Sequence, residues 1–167
     1  ETQKPQSAVV MGGGFIGVEM AENLATRGVA VTIVELSDQV MPPLDFDMAQ
    51  FVHRHLAEKG VRLVLGDGVQ SFGDAGGDVR ITLRSGRELD TNMVILSIGV
   101  SPNNALAKEC GLALGARGGI VVDETLRTED PDIYAIGDAV QVVHFVSEEK
   151  TLIPLAGPAN RMGRMAA

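Results

Sequence analysis

The chain of 167 residues has one cysteine, Cys110. A lone thiol excludes an internal disulfide framework and fits a reducing cytoplasm, the expected location. Basic tracts are also missing, and the net charge is −8. That balance argues against nucleic acid or an anionic membrane as partner. No apolar stretch approaches the roughly 18 residues of a membrane-spanning helix. No basic-then-apolar leader opens the chain. There is no initiator methionine, and Glu1 to Ser7 reads as a polar linker. Arg161 to Ala167 runs as if through mid-helix, with no cap or stop signal. The ends suggest a piece excised from a longer protein; the alternative is a short natural protein with processed ends. The length holds one domain, or one and part of another. A hydrophobic fraction of 45% suits a globular core.

The pattern that is present centres on residues 9 to 19. Val9, Val10 and Met11 lead into Gly12-x-Gly14-x-x-Gly17, and a helical pattern follows. Strand, glycine turn and helix start come in that order. A helix start offers unpaired N–H groups and a positive dipole end to a pyrophosphate. Gly12 permits the tight turn, Gly14 lets backbone approach phosphate, and Gly17 lets helix and strand pack closely. The chain has 20 glycines, so the trio gains weight only from its context. A second apolar run, Val29 to Val34, ends on Glu35, eighteen residues past Gly17. That is close to the interval of about 20 expected of a carboxylate that accepts hydrogen bonds from an adenosine ribose. The bland alternative is a glycine-rich turn with Glu35 merely solvated.

Residues 16 to 27 place Ile16, Met20 and Leu24 at spacing four beside Ala21 and Ala25, and Gly28 closes that helix. Asp45 or Asp47 caps a second helix through about Lys59, with Met48, Phe51, Val52 and Leu56 on one face. His53 and His55 lack ligand spacing and read as surface or boundary residues. Val61 to Leu65 is a third strand. Short runs at 69–72, 79–83 and 87–89 follow, split by glycine-rich turns, and read as an antiparallel meander. Met93 to Ile98 is all apolar except Ser97, which predicts a central strand covered on both faces. It ends on Gly99, placed to let a cofactor pass. Residues 105 to 114 read as a short helix; Cys110 within it has no cationic neighbour to activate it and reads as packed or idle. Ile120 to Asp123 and Ile133 to Ile136 read as strands. Gly137 and Asp138 end the latter, giving a close backbone approach and a short carboxylate able to accept bonds from ribityl or ribose hydroxyls. An ordinary Gly-Asp turn is the alternative. Leu155 and Ala156 sit in a turn that opens a last helix. The fold class is α/β, a Rossmann-like parallel sheet with an inserted antiparallel β-meander. No constellation for substrate chemistry is visible, and His144 stands alone.

Three stretches resemble the FAD-dependent pyridine nucleotide–disulfide oxidoreductases: Gly12 through Ala21, Thr128 through Asp138, and Leu155 through Arg164. The third is most similar to the branch of coenzyme A disulfide reductases, NADH oxidases and NADH peroxidases. The resemblance implies an NAD(H)-binding domain at 5–116 and, at 117–167, an incomplete return segment of the FAD-binding domain. The redox cysteine would lie outside this chain, since Cys110 does not match its position. By matched position, Gly12, Gly14, Ile16, Gly17 and Glu35 resemble the nicotinamide-dinucleotide contacts, and Gly99 a nicotinamide-side glycine. Phe15 resembles an aromatic gate over the flavin, or else a hydrophobic contact at a domain seam. Glu19 resembles an acidic residue near the flavin. Asp138, after Gly137, resembles a ribityl contact, and Leu155 and Ala156 resemble contacts to the isoalloxazine edge. The implied cofactors are FAD and NADH. Leu36-Ser37-Asp38-Gln39 offers no cation for a 2′-phosphate, so NADH is expected over NADPH. The implied acceptor is a small-molecule disulfide, peroxide or oxygen, and the implied assembly a homodimer formed through a domain not in this chain. The 167 residues by themselves are expected to be inactive. A ferredoxin or rubredoxin reductase, and a non-enzymatic NADH-binding module, are the rival readings.

Overall fold

The computed structural model describes residues 4–167. Of the polar stretch 1–7, Glu1, Thr2 and Gln3 lie outside the described residues. Ser7 already belongs to the first strand, and the Gln6 and Ser7 amides donate to Asn92 Oδ1 at 2.9 and 3.1 Å. The chain divides into two compact units, Glu1–Gly99 and Val100–Ala167. No helix of the described residues is long and apolar enough to cross a membrane.

The first unit opens with β1 (Ser7–Met11), α1 (Phe15–Thr26), β2 (Ala30–Val34), α2 (Phe46–Glu58) and β3 (Arg62–Val64). β4 (Val69–Ala75), β5 (Asp78–Leu83) and β6 (Glu88–Thr91) follow, and β7 (Met93–Leu96) completes it. Strands β3-β2-β1-β7 form a parallel sheet, and β4-β5-β6 form the antiparallel meander. From Ala8 to Met11, β1 is apolar because both its faces are covered. Ala8 and Val10 pack with Ala21, Leu24 and Leu56 of the helices. Val9 and Met11 pack with Ile81 and Leu83 of the meander. Alternate residues of a strand face opposite ways, so one strand serves both cores. Burying a side chain such as Ile33 or Ile81, each fully enclosed, contributes about 1.5–3 kcal/mol.

The structure corrects three expectations here. β7 is an edge strand: among the described residues it pairs with β1 alone. Its two faces are partly buried, Met93 and Ile95 against the helix side and Val94 against the meander side, while Leu96 is exposed. In α1 the buried face is Gly17, Ala21 and Leu24, while Ile16 and Met20 are exposed. A Cβ on Gly17 would overlap the Gly12 carbonyl oxygen of the turn, and Ala21 is fully buried. In α2 the buried residues are Ala49 and Leu56, and Met48 and Phe51 face outward. Gly28 and Gly60 follow the two helices with φ of 82° and 80°, as C-terminal glycines do.

The second unit holds α3 (Ala105–Glu109), β8 (Ile120–Val121), β9 (Val140–Val143), β10 (Lys150–Leu152) and α4 (Ala156–Ala166). β9 pairs in parallel with β8 and antiparallel with β10. The predicted helix over 105–114 stops at Glu109, because Gly111 takes a φ of 79°. The predicted strand Ile120 to Asp123 ends at Val121. The predicted strand over 133–136 is absent: only an isolated bridge joins Arg127 and Tyr134. The segment is instead tied by local bonds. Thr128 Oγ1 accepts the Asp130 N–H at 3.2 Å and lies 3.0 Å from the Ile133 carbonyl oxygen. The Arg127 Nη2 donates to the Tyr134 hydroxyl at 2.8 Å, with the guanidinium 5.3 Å from the ring centre. That contact raises the Arg127 pKa.

Candidate functional site

The three predicted glycines meet different surroundings. Gly12 has a φ of 101°, and a Cβ there would overlap the Ser97 carbonyl oxygen. A Cβ on Gly17 would overlap the Gly12 carbonyl oxygen. These two are dictated by backbone packing. Gly14 has φ −73° and ψ −173°, which any residue adopts, and nothing lies within 4 Å of a Cβ placed there. It is the N-cap of α1, and its side-chain space is open. Backbone at a helix start with room in front of it is an anion cradle.

Two residues missed by the sequence reading hold this turn. Ser97 Oγ lies 2.7 Å from the Met11 carbonyl oxygen and 3.0 Å from that of Gly12. A Cβ on Gly13 would lie 2.9 Å from Val40 Cγ1. No local signal marks either partner, since Ser97 and Val40 reach the turn from distant segments. Phe15 and Ile16 begin α1 just past the cradle, each about half exposed. Glu19 is exposed on the same helix.

Glu35 follows the end of β2. Its Oε2 accepts the Gly13 N–H at 2.6 Å, and its Oε1 accepts the Ser37 N–H at 2.9 Å. The carboxylate is thus fixed beside the turn before any ligand arrives. The loop after it is pinned to the same turn, for the Met41 N–H donates to the Gly13 carbonyl at 2.7 Å. Val40 is fully buried, and its N–H donates to His53 Nε2 at 3.0 Å. His53 is therefore a boundary residue with a structural bond, and His55 is exposed.

A cavity of about 610 Å³ lies over the carboxyl ends of the parallel strands. Gly12, Gly14, Glu35 and Ser97 line it, as do Asp67, Gly68 and Arg84 from the region after β3 and the meander. Asp67 organises that side. Its Oδ2 is 2.5 Å from Ser85 Oγ, and its Oδ1 accepts the Gly68 N–H at 2.9 Å and the Ser85 N–H at 3.2 Å. The Ser85 hydroxyl bond, more than any other contact, holds the Asp67 carboxyl below the usual carboxylate range. Gly99 has a φ of 111°, with open space where a Cβ would go.

In the second unit the Gly137-Asp138 turn and α4 come together. Gly137 has a φ of 86°, and its N–H points to Met162 Sδ at 3.4 Å. Ile136 Cδ1 lies 3.8 Å from the Cβ position of Gly163. Asp138 is exposed. Leu155 is the N-cap of α4 and Ala156 its first residue, so the Ala156 and Gly157 amides lack helical partners. Cys110 is exposed just past α3, so of the two expected alternatives it is not packed.

Comparison with known proteins fits this geometry. The family model for pyridine nucleotide-disulphide oxidoreductases matches residues 1–163. An NADH oxidase of Methanocaldococcus jannaschii is 39% identical over 163 residues, covering 96% of this chain and 36% of that protein. The structure of reduced Bacillus anthracis CoADR-RHD superposes with a TM-score of 0.91 at 56% identity, over 98% of this chain and 29% of that one. An NAD-dependent persulfide reductase from A. fulgidus gives a TM-score of 0.92 at 40% identity, over 97% and 30%. The chain thus spans about a third of the length of the relatives it matches. The match runs through the glycine turn, the carboxylate after β2 and the α4 start alike: the chain belongs to the pyridine nucleotide-disulphide oxidoreductase family.

Proposed function

We propose that this chain is the NADH-binding part of an FAD-dependent oxidoreductase, with residues 5–116 as the NAD(H) domain and 117–167 as a return segment of the FAD domain. The observation that carries this reading is the open Gly14 cradle beside a carboxylate already fixed on Gly13. Gly12, Gly14, Ile16 and Gly17 form the pyrophosphate turn. Glu35 accepts the hydroxyls of the adenosine ribose. Leu36 to Gln39 carry no cation, and Glu35 with Asp38 repels a 2′-phosphate, so NADH is preferred over NADPH. Gly99 lets the nicotinamide half pass, and Phe15 covers the flavin until the nicotinamide displaces it. Glu19 lies near the flavin.

On the flavin side, Gly137 and Asp138 meet the ribityl chain, and Leu155 and Ala156 meet the isoalloxazine edge. The open space at Gly137 and the unpartnered α4 amides fit such a group. The bound cofactors supply hydride transfer from nicotinamide to flavin, and the protein positions the rings and sets the charge around them. In the whole protein the electrons go on to a disulfide, peroxide or oxygen through a cysteine outside this chain. The whole protein is a cytoplasmic homodimer in this reading.

Calorimetric titration tests it. NADH should bind the purified protein at least about tenfold more tightly than NADPH, a difference of about 1.4 kcal/mol. Equal affinities would remove the NADH preference, and absence of NADH binding would remove the reading. FAD should be retained well below one equivalent, since these residues supply only part of its site. A stoichiometric yellow chromophore after purification would contradict that.

A further inference from the structure

We infer that Arg84, with Leu36, forms the platform on which the adenine ring of the dinucleotide rests; this rests on the dinucleotide reading above. The sheet order is the first argument. Across the carboxyl ends run β7, β1, β2 and β3 in turn, and the cavity extends over them. Phosphates belong at β1, on the Gly14 cradle. The ribose belongs one strand further, on Glu35 after β2. The next position in that direction lies past β3, at Asp67, Gly68 and Val69, and the base joined to that ribose falls there.

Gly68 is bare backbone, and two side chains converge over it. A Cβ on Gly68 would lie 3.2 Å from both Arg84 Nε and Leu36 Cδ1. The two side-chain ends therefore lie side by side, one planar and cationic, the other apolar. Both are cavity-lining, as adenine stacking requires. The base of Arg84 is rigid: its N–H donates to the Gly68 carbonyl at 2.8 Å, and Asp67 clamps the adjoining Ser85. The guanidinium itself is available, since among the described residues it forms no ion pair. The two carboxylates that share the cavity, Glu35 and Asp67, are already engaged by backbone N–H groups. A guanidinium stacks on an aromatic face through charge and through its planar fork. The cation thus reaches the adenosine end from the meander, far in sequence from the segment after β2.

Titrations of the purified protein and of the variants Arg84→Ala and Arg84→Lys test this with four probes. NADH and 5′-AMP carry the adenine. Reduced nicotinamide mononucleotide lacks it. Adenosine 2′,5′-bisphosphate adds a 2′-phosphate. Arg84→Ala should weaken NADH and 5′-AMP alike by about fivefold to tenfold, the range of a partly desolvated cation–π contact. It should leave the mononucleotide unchanged. Arg84→Lys keeps the charge and stem without the planar fork, and should recover only part of the loss. Thermal melting of both variants, unchanged from the parent, separates this from misfolding. Two results would overturn the inference: NADH and 5′-AMP affinities within twofold of the parent in Arg84→Ala, or a loss confined to the 2′-phosphorylated probe, which would make Arg84 a 2′-phosphate contact. A parent protein that binds neither NADH nor 5′-AMP would instead overturn the dinucleotide reading on which the inference stands.

Discussion

The Gly13 amide donates to Glu35 Oε2 at 2.6 Å, so the glycine turn and the carboxylate after β2 form one hydrogen-bonded unit. The other carboxylate oxygen takes the Ser37 N–H at 2.9 Å. Among the described residues Glu35 is thereby oriented by backbone N–H groups, with no cationic partner. Pre-orientation lowers the ordering cost when a ligand arrives.

Glu35→Gln should weaken NADH binding by roughly tenfold to a hundredfold, the effect of losing a charged hydrogen-bond acceptor worth about 1.5–3 kcal/mol. Removing the charge also removes repulsion toward a 2′-phosphate, so the ratio of NADH to NADPH affinity should shrink. Paired titrations of variant and parent measure both. An unchanged ratio would show that Glu35 does not set the preference.

Gly14→Ala and Gly17→Ala should separate binding from folding. The Gly14 site has open space and a permissive backbone, so alanine there should leave the melting temperature nearly unchanged and impair NADH binding. Alanine at 17 meets the Gly12 carbonyl and should destabilise the fold by about 1–3 kcal/mol or more. Denaturant unfolding beside a binding titration distinguishes the pair. Equal stability loss in both would contradict the assignment of Gly14 to ligand approach.

His53→Ala leaves the buried Val40 N–H without its acceptor and should cost about 1–3 kcal/mol. Because Val40 packs on Gly13, NADH affinity should fall as well. His53→Gln retains an acceptor and should recover part of both. Denaturant midpoints provide the readout, and identical midpoints for the two variants would argue that the bond contributes nothing.

Asp67 sets an acid limit. Its folded pKa lies below the unfolded one, chiefly through the Ser85 hydroxyl. The ionised group therefore contributes stability fully above the ordinary carboxylate pKa of roughly 4. That contribution fades as the pH falls from there through the lower folded value. Ser85→Ala should lower the melting temperature at neutral pH and narrow the gap from the parent as both are acidified. A gap that does not change with pH would remove Asp67 as the linked group.

Local spacing made much of this protein legible. The strand, glycine and helix order, the interval to Glu35, the capping glycine 28, and the meander turns are short-range patterns, set by backbone sterics and by periods of 2 or 3.6 residues. Composition misled where two causes give one pattern. An apolar run such as Met93 to Ile95 signals two partly covered faces, and hydrogen-bond pairing at the edge is a separate matter. Ile133 to Ile136 is apolar enough for a strand, yet it is shaped by local bonds to Thr128. Those short-range patterns are enough to read a strand, a glycine turn, a helix start and a carboxylate after the next strand from the residues alone. What encloses them follows from long-range packing. It put Ser97 under Gly12, Val40 against Gly13, and Arg84 beside Leu36 over Gly68. Those contacts join residues far apart in the chain, and they depend on strand order and helix seating, which no local period encodes.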